Sequence, residues 1–198
     1  MFDFFEQSED TVVIAFGDSS GKGAAAALYG SLVSGLLRSL APRSKRPSEL
    51  MKRLNQILLE RKVDAQYATL TILLWESAAR TLRIANAGAE PPLICRLGEI
   101  IQPQIEGIPI GLLDDREYDE IVFQAQPGDV LFLFSDGLED QLNAADQQFG
   151  RARLAVALKK LCALDPRGLV DGVFDELDQY MDGTPITDDQ TAIAIRVS

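Results

Sequence analysis

Three aspartates stand beside apolar runs, far apart along a chain of 198 residues that contains no histidine. Asp18 follows the run 11–16 in the loop Gly17-Asp-Ser-Ser-Gly-Lys-Gly23. Asp136 follows Val130-Leu-Phe-Leu-Phe134 in Ser135-Asp-Gly137, and Asp188, beside Asp189, precedes the apolar run 190–197. Each aspartate also suits a turn or a helix cap on its own. Their shared place at the edge of an apolar run suggests more, because strand ends fix side chains and can converge. Carboxylates without imidazole or thiolate partners describe a site for a hard cation such as Mg²⁺ or Mn²⁺.

The missing histidine removes Ser-His-Asp and Cys-His hydrolases, the zinc peptidases and every histidine acid or base. A phosphate-cradling P-loop fails as well. Only three residues separate Gly17 from Gly21, Lys22 is followed by Gly23, and an aspartate inside the loop repels a phosphate. The net charge of −11 disfavours nucleic acid and anionic membranes as partners. No run reads as a bilayer span of about 20 apolar residues, and the acidic start does not read as a signal peptide. Cys95 and Cys162 read as reduced core thiols of a cytoplasmic protein.

The elements that must position these residues follow from hydrophobic spacing. Strands are expected near 11–17, 67–75, 81–87, 92–97, 118–124, 129–135 and 190–197. Glu76-Ser-Ala-Ala-Arg80 reads as a hairpin loop, and Pro127-Gly-Asp129 as a turn. A helix over 24–40 places Leu28, Leu32, Leu36 and Leu40 in line, and one over 48–61 places Leu50, Leu54, Ile57 and Leu58 on one face. Two more are expected over 151–161 and 167–180. The result is an α+β chain with mainly antiparallel sheets and no βαβ rhythm.

Four segments then occur in a recognisable order: Gly17–Gly23, Asn86-Ala-Gly88 with Pro91-Pro92, Ser135-Asp-Gly137, and Asp188-Asp-Gln-Thr191. With Ile108-Pro-Ile-Gly-Leu112 and Pro127-Gly-Asp129, they make the whole chain resemble the metal-dependent serine/threonine protein phosphatases (PPM), in the bacterial SpoIIE/RsbU-like branch. The resemblance implies one domain over 1–198, an α-β-β-α sandwich of two mainly antiparallel sheets flanked by helices. It implies two ions, Mn²⁺ or Mg²⁺, with Asp18 bridging both, Asp136 and Asp188 binding one of them, and the Ser19 carbonyl as a further ligand. Asp189 would neighbour the site, and Asp140 stands where the branch has glutamate. Lys22 is a candidate contact for substrate phosphate, although a solvated loop lysine is the plainer reading. Arg43, Lys45 and Arg46 read as a solvated connector or, less plainly, a docking patch.

The implied reaction is hydrolysis of phosphoserine or phosphothreonine by a metal-activated water. The implied substrate is a phosphorylated STAS-type anti-sigma-factor antagonist in the cytoplasm. An upstream sensor or receiver domain fits the branch, and a homodimer is left open. Two departures stand against full agreement. The Gly-Gly-Asp of the branch has no counterpart ahead of Phe2-Asp-Phe4, so a truncated N-terminus with its first strand missing, or an impaired second metal site, is expected. Asp3 is not promoted to a ligand. Ala89 replaces the histidine of Asn-Ala-Gly-His, which leaves either a structural turn or a weakened rim. A pseudophosphatase that binds a phosphorylated regulator, and a hydrolase of small phosphate esters, remain alternatives.

Overall fold

The computed structural model describes residues 1–60 and 66–198, and they fall into two compact units. The first comprises Met1–Ala89 and Gln104–Ala125, the second Glu90–Pro103 and Gln126–Ser198.

The first unit holds a five-stranded antiparallel sheet in the order β1-β2-β3-β4-β7. Its strands are β1 (Phe2–Ser8), β2 (Thr11–Ser19), β3 (Ala68–Glu76), β4 (Thr81–Ala87) and β7 (Glu120–Gln124). Two helices, α1 (Gly23–Leu40) and α2 (Pro47–Glu60), pack on it. β2 and β3 pair over their whole length, from Thr11 opposite Glu76 to Ser19 opposite Ala68. Alternation along them sends Val13, Ala15, Leu70, Ile72 and Leu74 into the core beneath the helices. The approach is so close at Gly17 that an added Cβ would lie 2.1 Å from the Thr69 carbonyl oxygen. Glycine there is a packing requirement, and it sets the residue just before Asp18 deep in the sheet.

The second unit carries a four-stranded antiparallel sheet, β6-β5-β8-β9. It comprises β5 (Leu93–Arg96), β6 (Glu99–Ile101), β8 (Val130–Phe134) and β9 (Ala192–Arg196), with α3 (Gly150–Leu161) and α4 (Pro166–Met181). All five residues of β8 are buried, as a central strand requires. Leu154 and Leu158 of α3 and Leu169, Val173 and Leu177 of α4 close the core around Phe132 and Phe134. α4 starts sharply because the Asp165 carboxylate accepts from Gly168 N–H at 2.7 Å and Pro166 opens the first turn.

All seven expected strands and all four helices are found, so the chain is α+β with two antiparallel sheets. Residue 61 of the second expected helix lies outside the described residues. Two strands were not expected. β1 is an edge strand whose Phe2 and Phe4 stay exposed, and β6 spans only three residues. The facing of α1 also differs from its leucine ladder. Its buried residues are Ala26, Tyr29, Val33 and Leu37, while Leu28 is 72% exposed. Leucines spaced by four drift around a helix of 3.6 residues per turn, so the core stripe settles one residue further on. The stretch Gly23–Arg43 meets the length and composition of a membrane span after all, yet its Val33, Leu37 and Ala41 are fully packed in the first unit's core.

The cysteine reading is corrected. Cys95 of β5 and Cys162 at the end of α3 form a disulfide, with Cα atoms 6.3 Å apart. Their sequence separation is 67 positions, so only the tertiary fold brings them together.

One ion pair anchors the start of β8. The Arg96 guanidinium donates from Nε to Asp129 Oδ1 at 2.9 Å and from Nη2 to Oδ2 at 2.6 Å. Gln126 N–H adds a third bond at 2.8 Å. Burial pushes the Asp129 carboxyl up, but Arg96 and Gln126 outweigh it and hold the group below its ordinary value of 3.8. Its contribution to stability is therefore present above that value and lost as pH falls through the lower native one. Asp129→Asn strands a guanidinium built for a carboxylate and should cost about 3 kcal/mol in urea unfolding at pH 7. The gap from wild type should narrow steadily in acid.

Candidate metal centre

Asp18 belongs to the first unit, while Asp136 and Asp188 belong to the second. In the first unit, Asp18 is the next-to-last residue of β2, opposite Thr69, and its side chain is exposed. Its Oδ1 accepts from Ser19 N–H at 2.8 Å. Ser19 is tied inward, its hydroxyl donating to the Ala26 carbonyl at 3.1 Å. Ser20 N–H and Tyr67 N–H exchange bonds across the strand ends, the latter with Ser20 Oγ. An open hollow of about 440 Å³ adjoins Asp18 and Ser19, with Ala26, Gly30 and Ser34 of α1 among its lining residues. Small side chains on that helix face leave the room. Lys22 is exposed at the N-cap of α1, as a solvated loop lysine would be.

In the second unit the peptide carrying Asp136 leaves β8 through a short 3₁₀ turn, Asp136–Leu138. The loop bearing Asp188 and Asp189 lies directly against that turn. Ser135 N–H donates to the Thr191 carbonyl, Thr191 N–H to Ser135 Oγ at 3.0 Å, and Ser135 Oγ to the Asp189 carbonyl at 2.8 Å. A Cβ added to Gly137 would sit 2.4 Å from the Asp189 carbonyl oxygen. The structure thus brings the Asp136 and Asp188 segments together, although 51 positions lie between these two residues. Asp188 is not itself at a strand edge: β9 begins only at Ala192, and it is half-buried throughout. Asp189 is fastened through its carbonyl, and the Asp140 carboxylate accepts from Gln148 Nε2 at 2.8 Å.

Other residues singled out by sequence have structural partners. Asp3 pairs with Arg38. Arg46 pairs with the buried carboxylate of Glu120, which also holds Ser48 and Arg83. Asn86 donates to the Ala89 carbonyl and to Thr71 Oγ1, and accepts from Ala89 N–H. That closed turn needs no side chain at position 89.

Two features went unread in the sequence. Gln141, fully buried, donates to the Leu142 and Pro185 carbonyls and accepts from Gln190 Nε2 and Thr187 N–H. Arg151 joins Glu90 to Glu139, with its Nε 2.8 Å from Glu139 Oε1 and its guanidinium over the Phe134 ring. Burial, followed by opposing attraction to Arg151 and repulsion from Glu90 and Asp140, leaves the Glu139 carboxyl raised. Neither feature has a local motif: only the fold joins residues from separate segments.

By donor chemistry the three aspartates fit a hard divalent ion. They offer carboxylate oxygens at exposed positions, and among the described residues no ion pair occupies Asp18 or Asp188. Among the same residues no group of three or more Asp, Glu, Cys or His side chains is already gathered as a cage.

Residues 8–198 match the sequence model of the family described as Stage II sporulation protein E (SpoIIE). The chain belongs to the SpoIIE family. It is 25% identical over 184 residues to Stage II sporulation protein E of Bacillus subtilis (strain 168), covering 92% of this chain and 22% of that protein. To Phosphoserine phosphatase RsbU of the same organism it is 26% identical over 195 residues, covering 97% of this chain and 57% of the relative. The chain therefore spans about a fifth and rather more than half of these two relatives. Its fold is that of PP2C phosphatase domains. The solved phosphatase domain and regulatory fragment of SpoIIE from Bacillus subtilis superposes with TM-score 0.86 at 22% identity, covering all of this chain and 58% of that one. The SiaA-PP2C domain of Pseudomonas aeruginosa gives 0.87 at 21%, with coverages of 100% and 80%. RsbX in complex with magnesium gives 0.72 at 19%, with coverages of 100% and 86%.

Proposed function

We propose that this SpoIIE-family chain is a metal-dependent phosphatase of phosphoserine and phosphothreonine in a cytoplasmic regulatory protein. The observation that carries this reading is the Asp136 turn locked against the Asp188 loop, with both carboxylates exposed. Asp18, Asp136 and Asp188 would hold Mn²⁺ or Mg²⁺, with the Ser19 carbonyl as a further donor. A phosphatase among its relatives and a magnesium-bound one among its structural neighbours support the choice.

A bound divalent ion supplies positive charge toward the phosphoryl oxygens and makes water acidic enough to attack near neutral pH. The chain's part is to hold and orient. Gly17 seats Asp18 at the end of a rigid β2–β3 pair, and Ser135 pins the Asp136 turn to the Asp188 loop. Rigid strand ends of this kind keep ligands from reorganising as charge develops. No side chain of the three aspartate segments need act as a covalent nucleophile, and no imidazole exists to serve as base. The hollow beside Asp18 offers space for a phosphorylated side chain, with Lys22 a candidate phosphate contact on the adjoining loop.

For the substrate we favour a STAS-type anti-sigma-factor antagonist, supported by the kinship with RsbU and SpoIIE. The test is release of inorganic phosphate from a serine-phosphorylated STAS protein, with Mn²⁺, with Mg²⁺ and with chelator. Metal-dependent turnover supports the proposal. Stable binding of the phosphoprotein without turnover in either metal would replace it with the pseudophosphatase reading.

A further inference from the structure

Gln141 is a fully buried amide with no part in the reaction described above, and all its side-chain bonds but one go to the loop that carries Asp188. Its Nε2 donates to the Pro185 carbonyl at 3.1 Å, three residues before Asp188, and to the adjacent Leu142 carbonyl at 3.0 Å. Its Oε1 accepts from Thr187 N–H at 3.4 Å, one residue before Asp188, and from Gln190 Nε2 at 2.9 Å, two residues after it. Four bonds use both donors and the acceptor of the amide, and three of them bracket Asp188 from both sides. Ser135 pins the loop on the Asp189 side, and Gln141 holds it on the side that precedes Asp188. Pro185, Ile186, Thr187 and Asp188 are all exposed, and no strand begins before Ala192. Gln141 is itself fixed, because its own carbonyl accepts from Phe149 N–H at 2.8 Å just ahead of α3. It also stands five positions after Asp136, on the chain leaving the Asp136 turn.

We infer that Gln141 is a positioning residue for Asp188. It couples the loop that presents Asp188 to the chain leaving the Asp136 turn, so that the two carboxylates meet an ion in a fixed relation. A buried amide satisfied on every side is costly to replace and holds one arrangement, where a solvated loop would sample many. The inference rests on the metal reading above. Partners that orient ligands in this way typically change metal affinity roughly 10- to 100-fold when they are removed.

The test is a calorimetric titration of the full chain with Mn²⁺, without substrate, for wild type, Gln141→Met, Gln190→Met and Asp129→Asn. Methionine keeps the length and volume of glutamine but can make none of the four bonds. Gln141→Met should weaken Mn²⁺ binding by about tenfold. Gln190→Met deletes one bond of the set and should shift affinity in the same direction by less; it also serves if Gln141→Met does not fold. Asp129→Asn destabilises the same unit from the opposite end of β8 and should leave Mn²⁺ affinity unchanged. Equal weakening by Asp129→Asn would mean general loosening and overturn the inference. Wild-type affinity in both glutamine variants would overturn it too, with the metal reading intact. A wild-type chain that binds no Mn²⁺ would overturn the metal reading, and this inference with it.

Discussion

Asp136→Asn lowers metal-dependent phosphate release by roughly a hundred- to a thousandfold, equivalent to about 3–4 kcal/mol of transition-state stabilisation. The substitution keeps the size of the side chain and removes its charge. An amide oxygen is a weaker partner for a hard divalent ion, and the charge it fails to offset reappears in the barrier. The fold should not suffer. Asp136 is exposed at the head of a 3₁₀ turn held by backbone bonds, including Asp140 N–H to the Asp136 carbonyl at 2.9 Å. Thermal unfolding without metal should therefore stay within about 0.5 kcal/mol of wild type. Phosphate release with a phosphoserine protein, measured across Mn²⁺ concentrations, checks the claim. Undiminished release at saturating metal would remove Asp136 from the site.

Gly137→Ala is expected to reach a comparable loss without touching any carboxylate. The new methyl group would lie 2.4 Å from the Asp189 carbonyl oxygen and 3.3 Å from that of Asp188. Both are backbone atoms, so no rotamer change relieves the clash, and the two loops must part. Overpacking of this kind costs about 1–3 kcal/mol of stability. The functional cost is larger in proportion, since displacing catalytic groups by about 1 Å can lower a rate by about a hundredfold. A folded Gly137→Ala variant with less than a tenth of wild-type activity at saturating Mn²⁺ fits this account. Full activity would mean that the contact between the two loops does not matter to the reaction.

Much of this architecture is legible in the sequence because the signals are local. Val130–Phe134 is an unbroken apolar run, and it becomes the buried central strand of its sheet. Gly17 and Gly137 stand next to the aspartates because backbone must approach backbone there. What is not legible depends on distant partners. The Phe2–Ser8 strand alternates poorly and leaves two phenylalanines exposed on a sheet edge, so its pairing with β2 has no clear periodic signature. The core stripe of α1 is chosen by the sheet beneath it, which selects Tyr29 and Val33 over the more conspicuous leucine ladder. Cys95 and Cys162 meet only after α3 has packed beside β5. Gln141 is one glutamine in a polar segment until the 185–190 loop folds back over it.

The three aspartates show the same division. Their types and their places beside apolar runs suggest a cation site in the sequence, and the resemblance carried by the four motifs implies a role for each. The physical tie between Asp136 and Asp188 comes instead from Ser135 and Gly137, through contacts that no spacing rule encodes. The turn at Ala89 likewise owes its shape to Asn86, which closes it on the backbone of residue 89.

The central claim is that Asp18, Asp136 and Asp188 together hold a hard divalent ion. Electron paramagnetic resonance of Mn²⁺ tests it most directly, since free and protein-bound ions are distinguished without substrate or turnover. Titrated into the wild-type chain, Mn²⁺ should lose its free-ion signal, and Asp18→Asn, Asp136→Asn and Asp188→Asn should each restore that signal at the same total concentration. Three variants that bind Mn²⁺ as tightly as wild type would contradict the account.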